Sequence, residues 1–214
     1  MVLLGLLFVA AAGIIAARVP QYQQQAARLD RGMTEQEKQT RDGILNSTVK
    51  RSELALALLQ RELRMKELQQ KGLHIAVDTQ DSVLFLRHDN ATLRRVPVRI
   101  GPDSTVTASD GRTWRMVRAL GERHVEDKET DGVFDTPEWI YVARGEAVPS
   151  QEKRAVAGGL GKYTLLLDDG TVIYTPPSAG PFTGSVKPAA FLVAEADMQP
   201  IFDAVGKDTP VFIY

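Results

Sequence analysis

The chain has no cysteine, which removes disulfides, thiolate metal sites and thiol nucleophiles together. That absence leaves the compartment open, because many envelope proteins also lack disulfides. Histidine is scarce, with His74, His88 and His124 the only three. His74 opens a strand, His88 sits beside a turn and His124 lies in the charged run Glu122 to Glu129, so each is expected at the surface. His124 with Glu126 and Asp127 lacks a second strong ligand pattern, and no metal or cofactor is expected. Net charge is nearly absent too: 26 Lys and Arg against 27 Asp and Glu leave −1. No global field draws in nucleic acid. Gly158, Gly159 and Gly161 form no phosphate loop, lacking the Lys-Ser/Thr ending and the helix after it.

Long apolar runs are missing everywhere except at the start. Met1 to Ala17 carries no charge, and as a helix it spans about 25 Å, a little short of a hydrocarbon core. Arg18 can snorkel outward and let Val19 extend the span. A cleaved signal peptide is the rival, with Ala10 and Ala12 as an A-x-A-like site. Cutting there leaves Gly13-Ile14-Ile15 as an apolar new terminus, so residues 1–19 are taken as an uncleaved anchor. The remaining length of this 214-residue chain suits one globular domain with accessories.

Residues 20–72 read as a helical stalk. Gln21 to Gly32 is polar, then Thr34 and Glu37 have the spacing of a capping box. Gly43 is expected to interrupt or weaken the helix. From Ile44 to Lys71 the helical period is clearest: Leu45, Val49, Leu56, Leu59 and Leu63 fall on one stripe, which Ser52 and Lys66 share. Gly72 is the stop signal. Such a helix either lies against its own domain, stands as a solvated spacer, or pairs in a short parallel coiled coil that makes a homodimer.

From His74 the period changes to alternation and short apolar runs. Strands are expected over 74–78, 82–87, 94–100 and 113–120, on both sides of the turn Asp168-Asp169-Gly170, and at 210–214. Met198 to Val205 reads as a short helix ending at Gly206. Many short strands with few helices give a mainly β fold over 73–214, a β-sandwich or open barrel.

Three stretches carry a family resemblance. The opening hairpin leads to a Val96-Pro97-Val98 strand ending in Gly101. Trp139 to Pro149 is followed by Gly158-Gly159-Leu160-Gly161-Lys162-Tyr163. Ala194-Glu195-Ala196-Asp197-Met198 runs through Gly206-Lys207-Asp208-Thr209-Pro210-Val211. In order and spacing these resemble the L,D-transpeptidase (YkuD-like) catalytic domain, which cross-links peptidoglycan with a Cys nucleophile helped by His. The resemblance covers roughly 73–214 and implies a wall-facing β-domain. It also outweighs Arg18, Arg28 and Arg31, which follow the apolar span and alone favour a cytoplasmic side.

The departures bear on chemistry. Against the family's Ile-His-Gly strand end stands Ile173-Tyr174-Thr175. Against its Ser-His-Gly-Cys-Ile-Arg loop stands Lys187-Pro188-Ala189-Ala190-Phe191-Leu192. Ala190 therefore occupies the nucleophile position, Pro188 the second histidine and Leu192 the arginine, while Ala189 replaces the glycine. Thiol attack needs a thiolate and a base in reach, so the resemblance implies a catalytically inactive, membrane-anchored envelope protein. It would bind peptidoglycan or a cell-wall enzyme as a scaffold, from the periplasmic side of the cytoplasmic membrane. Tyr174, Trp139, Phe182, Lys187 and Phe191 are the candidate groove residues, with the aromatics expected to plug the vacated cleft. One alternative is an active enzyme rebuilt on Ser185 and Lys187. Another is a coiled-coil dimerisation protein whose β-domain is incidental.

Overall fold

The computed structural model describes residues 34–214. The expected anchor and the stalk up to residue 33 lie outside the described residues, and no helix among the described residues is long and apolar enough to cross a membrane. The chain divides into two compact units, Met1–Ala57 and Leu58–Tyr214.

The first helix, α1 (Glu35–Gln69), is continuous. Its start is the expected capping box: Thr34 N–H donates to Glu37 Oε2 at 2.8 Å, and Glu37 N–H donates to Thr34 Oγ1 at 3.3 Å. Gly43 does not interrupt it. Nothing lies within 4 Å of where its Cβ would be, so the only cost is glycine's propensity deficit of about 1 kcal/mol. In the first unit Ile44, Leu45, Val49, Leu54 and Leu56 are all exposed.

In the second unit the end of α1 packs on a sheet, as one of the three expectations had it. Leu63 clusters with Ala76, Phe212 and Tyr214. Arg64 pairs with Asp78 and lies 5.0 Å from the Tyr214 ring centroid, and Lys66 pairs with Glu122. Glu67, 1% exposed, is the centre of a clasp. Its Oε1 and Oε2 accept from Arg87 Nη1 at 2.9 and 3.1 Å. Its Oε1 also lies 3.0 Å from His74 Nε2, while His74 Nδ1 lies 3.1 Å from the Gly72 carbonyl. His74 is fully buried, which corrects the surface assignment: the ring is paid for by partners at both nitrogens and an edge contact with Phe212. His88 and His124 remain on the surface. Gly72, with φ of 78°, ends the turn after the helix as expected.

The strands are β1 (Leu73–Asp78), β2 (Val83–His88), β3 (Ala91–Pro97), β4 (Arg99–Ile100), β5 (Ser104–Thr107), β6 (Thr113–Met116), β7 (Gly121–Thr130) and β8 (Val133–Asp135). Helix α2 (Glu138–Arg144) is followed by β9 (Ala155–Ala157), β10 (Tyr163–Leu167), β11 (Val172–Tyr174), β12 (Phe191–Leu192), α3 (Glu195–Ala204) and β13 (Pro210–Ile213). Nine strands make one sheet in the order β3-β2-β1-β13-β7-β10-β11-β12-β4. Its two end strands, β3 and β4, are consecutive in the chain, so the sheet is rolled into a nearly closed barrel. Of the expected mainly β architectures, a β-sandwich or an open barrel, the sheet takes the barrel form, while β5–β6 and β8–β9 form separate two-stranded ribbons.

The barrel interior is filled by Ile75, Val77, Leu84, Val125, Leu165, Ile173, Val211 and Ile213, among others, with α3 contributing Met198 and Ile201. The charged run from Glu122 to Glu129 is a central strand, β7, between β13 and β10. Two of its long side chains lie in register with the core residues Leu165 and Val211 and have partners of their own: Lys128 Nζ donates to the carbonyls of Phe202 and Val205 at the end of α3, and Arg123 pairs with Asp169 at 2.8 Å. The strand expected over 113–120 is shorter, ending at Met116.

Glu67→Ala leaves Arg87 and His74 facing each other without their shared carboxylate. Removing one partner of a buried ion pair costs about 3–5 kcal/mol, so the urea midpoint of the β unit is expected to fall steeply. A fall within 1 kcal/mol, on the scale where surface substitutions sit, contradicts the clasp.

Candidate functional site

The outer face of β10, β11 and β12 carries the positions singled out in the sequence. Register puts Thr164 opposite Tyr174 and Tyr174 opposite Leu192; paired residues share a face. Tyr174, Ala190, Leu192 and Val172 form one apolar cluster, with Leu160, Leu166 and Val186 packed against it. Ala190 and Tyr174 are both fully buried. Ala190, Leu192 and Tyr174 thus converge; Pro188, half-buried, lies on the same short loop.

Hydrogen bonds fix that loop. Tyr174 Oη accepts from the Lys187 backbone N–H at 2.7 Å. Gly101 N–H donates to Ala190 O at 2.8 Å, and Ala189 N–H donates to Pro102 O at 3.1 Å. A Cβ on Gly101 would stand 1.9 Å from Lys187 O, so only glycine lets the two segments meet. Ala189 has φ of 54°, a left-handed conformation that costs a residue with a Cβ about 1–2 kcal/mol. The backbone here has a shape suited to glycine, although glycine is absent. Burial pushes the Tyr174 phenol up, against the Lys187 N–H and the charge of Arg99, which pull it down.

The other candidates do not gather as expected. Phe191 points to the opposite face of β12 and belongs to the barrel core, because neighbours on a strand alternate. Trp139 and Phe182 sit together, ring centroids 6.2 Å apart, and Phe182 also meets Phe134 at 5.8 Å. These rings form a second aromatic group, and Phe134 on β8 takes it to the edge of a cleft. That cleft, of about 360 Å³, lies beside β10 and β11 and is lined by Phe134, Leu160, Leu166, Val172, Glu129 and Lys187, among others. The surroundings of the Tyr174 cluster are therefore not wholly plugged. Glu129, Phe134 and Leu160 were not singled out from the sequence; only the cross-strand pairing of β7 with β10 identifies the first.

Lys187 is half-buried, and burial pushes its ammonium below the usual lysine range. Its side chain has no ion-pair partner among the described residues. Ser185 is exposed and its N–H donates to Phe182 O; no hydrogen bond joins its hydroxyl to Lys187 among the described residues. The Asp168-Asp169-Gly170 segment is a hairpin turn, with Leu167 N–H donating to Thr171 O. No group of three or more potential metal ligands occurs among the described residues.

Two substitutions check this geometry by chemical denaturation. Tyr174→Phe leaves the Lys187 N–H without its acceptor and is expected to cost about 1–3 kcal/mol. Ala189→Gly relieves the left-handed strain and is expected to stabilise by about 1 kcal/mol. A loss on Ala189→Gly contradicts the assigned backbone.

No protein-family model and no curated protein matches the sequence. Among solved structures, the chain is similar to an L,D-transpeptidase from Xylanimonas cellulosilytica at 19% identity and a TM-score of 0.47, covering 68% of this chain and 61% of that one. It is also similar to Mycobacterium tuberculosis L,D-transpeptidase 1, at 15% identity and a TM-score of 0.43, over 66% of this chain and 61% of that one. A third is the catalytic domain of the E. faecium L,D-transpeptidase acylated by ertapenem, at 15% identity and a TM-score of 0.43, over 68% of this chain and 98% of that one. The chain spans about three-fifths of the first two proteins' length. The likeness covers about two-thirds of this chain.

Proposed function

We propose that the protein is a catalytically inactive L,D-transpeptidase-like component of the bacterial cell envelope, anchored by residues 1–19, whose β-domain binds or scaffolds on the periplasmic side. The observation that carries this reading is Ala190. It stands at the nucleophile position with a methyl group for a side chain, and it is sealed in an apolar cluster with Tyr174 and Leu192. Nucleophilic acyl transfer needs an attacking heteroatom and a base within hydrogen-bond reach; Ala190 offers no heteroatom, and the Tyr174 phenol, pushed up by burial, is taken up by the Lys187 N–H. The N–H of Ala189, the preceding residue on the loop, is already bonded to Pro102 O. Peptidoglycan or a wall enzyme is the partner class that the fold favours.

The runner-up is a site rebuilt on Ser185 and Lys187, which the lowered lysine favours. An activated-serine probe separates the two: labelling that disappears in Ser185→Ala supports the rebuilt enzyme. The exposed apolar side chains of α1, Leu45, Val49 and Leu56 among them, favour a homodimer paired along that helix.

The main test is exchange of a labelled amino-acid acceptor onto a tetrapeptide donor. No turnover above a heat-denatured control is expected, and Ala190→Cys alone is expected to restore none, since no base accompanies it. Turnover by the unaltered chain ends the proposal. For the helix, Val49→Asp with Leu56→Asp is expected to convert a dimer to a monomer in sedimentation; an unchanged mass rules out pairing through this stripe.

A further inference from the structure

The nearly closed barrel keeps one open edge, and that edge is basic. β3 lies at one end of the strand order, and among the described residues no strand pairs with its outer side. Its residues 91–95 are exposed in succession, and only Val96 is buried. Val98 N–H donates to Ser82 O at 3.0 Å, and the register sets Val96 against Leu84 and Arg94 against Leu86. Backbone groups alternate in direction along an antiparallel strand, so Val96 and Arg94 turn theirs to β2. Arg95, between them, turns its N–H and carbonyl outward. Pro97 falls on the same outward side, where an edge strand tolerates the missing N–H. Side chains alternate as well. Val96 belongs to the barrel core, whereas Arg95 stands on the outer face, its guanidinium 5.9 Å from the Phe85 ring centroid. Arg94 and Arg95 thus flank the open edge on its two faces, and neither has an ion-pair partner among the described residues. Leu93, passed over by the register at a bulge, is exposed beside them.

We propose that the outer edge of β3 takes an acidic, extended segment of a partner protein as an added strand. This gives the scaffold role proposed above a surface and a partner chemistry, and it rests on that role. Main-chain hydrogen bonds hold an added strand, and charge decides which strand is accepted. A second copy of this chain is disfavoured. Two β3 edges paired about a two-fold axis bring arginine against arginine, and like charges directly opposite destabilise a sheet. Basic side chains are a common guard against edge-to-edge pairing, and an acidic strand is the class that such a guard admits. Neighbouring carboxylates on the incoming strand point to opposite faces, so one meets Arg94 and the next meets Arg95 in charge-assisted hydrogen bonds. The five exposed residues ahead of Val96 and Pro97 offer roughly 17 Å of edge.

The test is fluorescence anisotropy of labelled Thr-Val-Glu-Glu-Val-Thr with the whole chain in mild detergent. Saturable binding is expected, and replacing both glutamates by glutamine is expected to weaken it about tenfold. Absence of saturable binding, or equal binding of the two peptides, overturns the inference. Two further copies, N-methylated at the odd or at the even residues, keep the charge. One should lose binding and the other keep it, because only every second N–H of an added strand faces its neighbour. Equal effects in the two copies reduce the edge to a charge contact open to any polyanion, and overturn strand addition. Arg94→Glu with Arg95→Glu is expected to release this peptide and to take Thr-Val-Lys-Lys-Val-Thr instead, a gain that only a folded variant can show. A variant that still prefers the glutamate peptide contradicts the assignment. Hydrogen exchange reads the edge without any substitution: the Arg95 N–H is expected to slow when the peptide is added, and an unchanged rate rules the edge out. Turnover in the acceptor-exchange assay ends the reading of inactivity but leaves these outcomes as they are; equal binding of the glutamate and glutamine peptides does the reverse.

Discussion

Residues 96–100 belong to both ends of the sheet at once. Val96 and Pro97 pair with β2, Val98 N–H donates to Ser82 O, and Arg99 and Ile100 pair with β12. One short extended segment thus closes the barrel. The two residues after it, Gly101 and Pro102, take up Ala190 and Ala189 through a pair of hydrogen bonds. Closure and site geometry are therefore the same constraint. A side chain at position 101 strikes Lys187 O, so it pushes apart the barrel seam and the loop together.

The barrel core is apolar, and charged side chains beside it serve as attachments. β7 carries ionised side chains on most of its length, yet Val125 alone faces inward fully buried. Lys128 caps the carbonyl end of α3 and lies 4.4 Å from the Phe202 ring centroid, combining helix-terminus and cation–π stabilisation. On the opposite side the Glu67 clasp fastens the end of α1 to β1 and β2. In this buried polar group both ring nitrogens of His74 have partners, while Arg87 Nε is buried without a hydrogen-bond partner among the described residues.

The hairpins, the capping box and the final helix were legible because each announces itself locally. Thr34 with Glu37, Gly72, and the Asp-Asp-Gly turn all act within a few residues of chain. The central strand was not legible, because a run such as Glu-Arg-His-Val-Glu-Asp-Lys-Glu reads as loop when its partners are unknown. His74 escaped for the same reason: its burial depends on Glu67 from another element. At the site, the convergence of Ala190, Leu192 and Tyr174 was readable from order along the chain. Phe191 was misplaced although alternation already forbade it, since Ala190 and Leu192 on one face send the residue between them to the other. Glu129 and Phe134 needed the sheet register and the β8–β9 ribbon, which no local pattern reveals.

Ala189 shows that conformation and residue type have come apart in this loop. The main chain turns through the left-handed region because Gly101 and Pro102 hold it there, and the alanine tolerates the turn without causing it. Anyone grafting a reactive side chain onto position 190 would find the curve of the peptide already in place. The obstacle is the apolar packing, with Leu160, Leu166 and Val186 set against the cluster that holds Ala190. Installing reactivity here is thus a problem of excavation first and of chemistry second.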